Sequence, residues 1–222
     1  MNTEDLIDRL GRDATIAKPL PTPGRRAATW LLWGAIYLTV FAVMKFAVMS
    51  SSRLTATPLY LLQQGAALLT GITAARAALV SVIPGAQNRV WGPPLVSAAL
   101  WIASLLWEAA LNLRAVGTTG ATSESDWPCV ASMVMGGVVL GGPLMWMLRR
   151  GAPLTPQATA FLAGLAALSI ANVEACLTRP HAFAMTVLLW HGTTAAVAAL
   201  AFAVMGRAWL QWPDMNARLR LR

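Results

Sequence analysis

Two cysteines, two histidines and nine acidic side chains are what this 222-residue chain offers for chemistry near neutral pH. Cys129 and Cys176 are the soft donors, and Asp126, Glu174 and His181 lie within five residues of one thiol or the other. Thiolate, imidazole and carboxylate together suit a soft or borderline divalent metal such as zinc or cadmium. Cys129, Cys176 and His181 are therefore the candidate metal ligands. Their spacing matches no closed metal motif, and an oxidising compartment favours a disulfide. No permanent cofactor is expected; a transient heavy-metal ion or an oxidant at the thiol pair is. Each cysteine also suits plain packing as a small apolar filler. His191 is the other titratable group in an apolar stretch, read either as a functional imidazole or as a neutral one bonded between helices. No HExxH, GxSxG, phosphate-binding loop or CxxCH is present, so the chain is not expected to be an enzyme.

These side chains must be positioned by membrane elements. The chain is 57% hydrophobic and only 12% charged, with mean hydropathy +0.58, where a soluble domain carries about 25% charged residues. A soluble enzyme is excluded on that ground. A bilayer core needs about 20 apolar residues per helix, and six stretches reach that length: 27–49, 59–83, 93–113, 128–148, 156–177 and 182–206. The expected fold is all-α, a bundle of six transmembrane helices with a short N-terminal amphipathic helix. Residues 1–26 form a cytoplasmic segment, 27–206 the membrane domain and 207–222 a basic tail. Residues 1–26 carry Glu4, Asp5, Asp8 and Asp13, and the first apolar run starts only after Arg26, so no cleavable signal is expected.

Orientation follows from the basic residues. With the N-terminus inside, cytoplasmic parts hold twelve of them: Arg9, Arg12, Lys18, Arg25, Arg26, Arg89, Arg149, Arg150, Arg207, Arg218, Arg220 and Arg222. The outer loops hold three: Arg53, Arg114 and Arg179. Both termini are expected in the cytoplasm, and the formal charge of +8 reflects this topology rather than nucleic-acid binding. Cys129 and Cys176 then fall at the same outer level of two antiparallel neighbours, with Glu108, Glu124, Asp126 and Glu174 at or near that face. Gln63, Gln64, Asn112 and Asn172 read as polar glue between helices, and most of the ten Trp as interfacial belts.

The N-terminal segment begins with Thr3 as a cap and acids in the first turn. Leu6, Ile7 and Leu10 share one face, flanked by Asp5, Asp8 and Arg9. The run 18–23, Lys-Pro-Leu-Pro-Thr-Pro, is a stiff extended tether. Such a helix can lay its apolar face in a partner's groove.

The run Asp126-Trp127-Pro128-Cys129, an apolar span, Arg149-Arg150-Gly151-Ala152-Pro153, the second lone cysteine at Cys176 and the step Trp190-His191-Gly192 resemble the NrsF family of six-span bacterial anti-sigma factors. The acidic amphipathic N-terminus with its proline tether is similar too. The resemblance implies a negative regulator that holds an extracytoplasmic-function sigma factor at the membrane until heavy-metal or oxidant stress releases it. It implies that Cys129 and Cys176 take part in signal perception, and that Asp5, Leu6, Ile7, Arg9 and Leu10 contact the sigma factor. The run Leu177-Thr178-Arg179-Pro180-His181 departs from the acidic residues of many members. Two other readings stay open from the residues alone: a small inner-membrane transporter or channel, and a thiol-redox membrane protein. The first should show a polar stripe along a lumen, the second a partner site for its thiols.

Overall fold

The computed structural model describes residues 3–5, 21–48, 57–83, 85, 90–116, 127–151, 153–178 and 184–210. Among these every regular element is helical. The long helices are α1 (Pro23–Val48), α2 (Pro58–Val80), α3 (Gly92–Val116), α4 (Trp127–Arg149) and α5 (Pro156–Thr178). The sixth rod is composite: a short α6 (Ala184–Thr186), a π-helical turn (Val187–His191) and α7 (Gly192–Trp209). Proline marks the start of most helices, where its missing N–H has no intrahelical partner to lose. At α2 the Thr57 hydroxyl also accepts from the Tyr60 amide at 3.2 Å.

The expected spans agree with these helices to within a few residues. Five of the six rods are long and apolar enough to cross a bilayer: α1, α3, α4, α5 and the π turn with α7. The stretch expected at 59–83 is there as the 23-residue α2, but Gln63, Gln64 and Arg76 keep it below the apolar level of the other five.

Consecutive rods run antiparallel, and cross-contacts set their register. Trp30 on α1 donates its indole N–H to the Leu140 carbonyl of α4 at 2.9 Å. Ser81 at the end of α2 bonds Thr159 at the start of α5 at 2.8 Å, and Thr73 meets Ser97 across α2 and α3 at 3.1 Å. Helix α5 is the axle. Its apolar segment is 83% buried, against 22–44% for the other four membrane-length helices. A run of small residues allows this: Ala160, Ala163, Ala166, Ala167, Ala171 and Ala175 are all fully buried, as expected where backbones approach without a hydrophobic drive between helices. Gly164 shows how close they come, since a Cβ there would lie 3.1 Å from the Ala199 Cα of α7.

The outer faces are the inverse of a soluble surface. Leu32, Val43, Val96, Met135, Val138, Val197 and Val204 all stand exposed, the arrangement lipid tails accept and water does not. Two of the expected belt tryptophans are core residues instead. Trp30 and Trp101 are buried, because each faces a neighbouring helix and Trp30 spends its N–H on a carbonyl there.

Candidate functional site

The second half of α5 carries Asn172, Glu174 and Cys176, all at most 5% exposed. Because α4 and the sixth rod run against α5, the beginnings of both lie beside this stretch, and α1 reaches it from its middle. Four elements therefore meet at one end of the bundle.

Glu174 was expected at or near an outer face; it is 1% exposed. Its carboxylate accepts from the Ser132 hydroxyl of α4 at 2.5 Å and from the Tyr37 hydroxyl of α1 at 3.3 Å. A buried carboxylate is costly unless its oxygens are met, and these two hydroxyls meet one of them. On another side of α5, the His191 Nδ1 lies 2.9 Å from Asn172 Oδ1. The imidazole and the amide thus share a hydrogen bond within the helix packing. The Cys176 thiol lies 3.8 Å from the same Nδ1 and 3.9 Å from the same oxygen. The Tyr60 hydroxyl of α2 donates to the Cys176 carbonyl at 3.4 Å.

His191 can reach Asn172 because the chain is wider just there. The Gly192 amide closes the π turn by donating to the Leu189 and Val187 carbonyls, and two hydroxyls one turn on add further bonds. Thr193 donates to Leu189 O, and Thr194 donates to Trp190 O at 2.6 Å. Trp190, in the same turn, packs against Trp127 with ring centroids 5.8 Å apart. The Trp-Pro-Cys start of α4 and the Trp-His-Gly step are thus brought face to face.

Cys129 and Cys176 are both buried, at 3% and 5% exposure, so neither thiol is open to the surrounding medium. The helices bearing them are neighbours, as expected. Their packing differs: Cys129 sits with Met133, Leu168, Ala175 and Ala195, and Cys176 with Ala66, Ala67, Trp101 and Val187. Among the described residues no three His, Cys, Asp or Glu side chains gather in metal-binding geometry. His181, the third candidate ligand, lies outside the described residues, as do Leu6, Ile7, Arg9 and Leu10. Asp5 falls in the helical and exposed residues 3–5.

The sequence reading passed over Tyr37 and Ser132, and treated Asn172 as generic glue. One signal was available. Ser132 follows Cys129 by three residues, hence on the same helical face. Tyr37 carries no such mark. Elsewhere the glue reading holds for Gln63, which donates to Glu108 at 2.5 Å and to the Ser104 carbonyl at 3.4 Å.

Among the described residues, long apolar helices packed around a buried polar cluster define a helical membrane protein. The chain matches the model of the NrsF family, described as negative regulator of sigma F, over residues 10–212. It belongs to that family, and the sequence resemblance is borne out across most of its length. The family's name makes a sigma factor the partner and negative regulation the activity. No curated protein and no solved structure matches the chain.

Proposed function

We propose that this protein is a six-span anti-sigma factor of a bacterial inner membrane, with both termini in the cytoplasm. Its N-terminal segment holds an extracytoplasmic-function sigma factor through Leu6, Ile7 and Leu10, with Asp5 and Arg9 at the edge of the contact. Heavy metal or oxidant acting at Cys129 and Cys176 releases the factor. The observation that carries this reading is the family match over 10–212. The meeting of α1, α4, α5 and the sixth rod around the thiol-bearing ends supports it further. In sequence, α1 follows the proline run 18–23 and the proposed sigma-binding segment, and its Tyr37 touches the carboxylate two residues from Cys176. A change of packing at the thiols therefore has a short route to α1. A sensor of this kind needs two packings that a ligand discriminates by a few kcal/mol, and a thiolate–metal bond or a disulfide is strong enough for that.

The test is affinity purification of the detergent-solubilised full chain from its own host. A sigma factor should co-purify, and cadmium or a mild oxidant should release it. Recovery of the intact membrane protein without any sigma factor would overturn the proposal. Retention of the factor under every metal and oxidant would overturn the thiol half of it.

A further inference from the structure

At the end of the bundle opposite the thiols, the start of α1 and the end of α4 border an open cavity of about 240 Å³. It is lined by Arg25, Arg26 and Arg150 together with Trp146, Met147, Thr29 and Pro21. None of the four described carboxylates, Glu4, Asp5, Glu108 and Glu174, is in its wall. We propose that this cavity binds the phosphate of an anionic phospholipid headgroup.

Arg26 is the strongest part of the argument. It is 8% exposed, and a guanidinium taken out of water needs a compensating charge. It donates to the Met147 carbonyl, which takes up one of its five N–H groups and supplies no charge. Arg150 lies with its guanidinium carbon 3.8 Å from the centre of the Trp146 ring. Stacking occupies the face of the guanidinium and leaves its edge N–H groups free to fork onto an oxyanion. Arg25 completes the positive wall from the exposed side. A volume of about 240 Å³ is many times what a single water needs, room for a phosphate and the first atoms attached to it.

An apolar tail on the ligand fits the surroundings. Below the cavity, α1 and α4 present Trp33, Ile36, Val138 and Val139 to the outside, and Trp33 bridges the two helices by donating to the Val139 carbonyl at 3.4 Å. Acyl chains can lie along this strip while the phosphate sits among the arginines at the interface, where basic pockets between helices take anionic headgroups. A free phosphate would use the same arginines without the strip.

The experiment is native mass spectrometry of the full chain in micelles, titrated with phosphatidylglycerol, with phosphatidylcholine and with inorganic phosphate. Phosphatidylglycerol should bind in preference to the other two. Arg25→Gln/Arg150→Gln, which spares the buried Arg26, should weaken it by about fivefold or more per arginine. Arg149→Gln/Arg207→Gln removes the same charge from exposed positions outside the cavity and should leave affinity within twofold. Equal loss in both double variants would reduce the effect to general surface attraction and overturn the site. Equal binding of phosphatidylcholine would also overturn it, and inorganic phosphate binding as tightly as phosphatidylglycerol would overturn the lipid assignment.

Discussion

Glu174 is where the chemistry of single residues bears most on the fold. A carboxylate at 1% exposure in the most buried helix is tolerable only while Ser132 and Tyr37 supply their hydroxyls. Both donors come from other helices, so the carboxylate fixes the register of α1 and α4 against α5. Tyr37→Phe and Ser132→Ala should each lower stability by about 1.5–3 kcal/mol, the usual worth of a hydrogen bond to a charged group. The larger claim is coupling: a cycle of Tyr37→Phe with Glu174→Gln should return an interaction energy of about 0.5–3 kcal/mol. Thermal unfolding in micelles measures all four corners, and strictly additive losses would show that the hydroxyl and the carboxylate do not act together.

Among the elements, the decisive fact is that both thiols lie between helices. A membrane-impermeant maleimide should label Cys129 and Cys176 slowly in the folded protein and fully in sodium dodecyl sulfate, because reaction waits on the helices parting. Gly136 offers a way to loosen them. A Cβ there would lie 2.8 Å from Ala171 Cβ and closer still to the Tyr37 hydroxyl, and overpacking of this kind costs about 1–3 kcal/mol. Gly136→Ala should therefore speed labelling by about fivefold or more; unchanged labelling would mean that the α1–α4–α5 contact does not guard the thiols. If the cysteines sense as a unit, Cys129→Ser, Cys176→Ser and the double variant should lose inducibility equally while basal repression survives. Normal induction in both single variants would leave them as packing residues. Much of this level was legible beforehand, since Pro128 and Pro156 open apolar runs of bilayer length and so mark helix starts. The π turn was not, because its wider hydrogen bonding leaves no trace in the composition of Val187–His191. Nor was the burial of Glu174 and Trp30, which depends on which face of a uniformly apolar helix meets a neighbour. In lipid both faces are apolar, so the pattern that sorts inside from outside in a soluble helix is missing.

The whole molecule has two chemically different ends. One gathers Arg25, Arg26, Arg149, Arg150 and Arg207; the other holds the thiols, Glu174 and His191. The arginine end is the one the positive-inside rule assigns to the cytoplasm, and the tether leaves α1 from that end beside Pro21. Reporter fusions should accordingly place both termini inside, and a periplasmic N-terminus would overturn the topology together with the sensor reading. Under the proposed topology the grip on a sigma factor lies on this side, and the sequence pattern of Leu6, Ile7 and Leu10 supplies an apolar face for it. Leu6→Asp or Leu10→Asp puts a charge in the middle of that apolar pattern. Burying one leucine contributes about 1.5–3 kcal/mol, so losing it should weaken the complex by roughly tenfold or more. The expected phenotype is a sigma response that is on without any stress, with immunoblots showing normal amounts of the regulator in the membrane. The control is a charge change on the polar face, Asp8→Asn, which should repress as before. Full repression by both leucine variants would place the sigma contact elsewhere on the cytoplasmic side, with the basic tail after Arg207 the next segment to test.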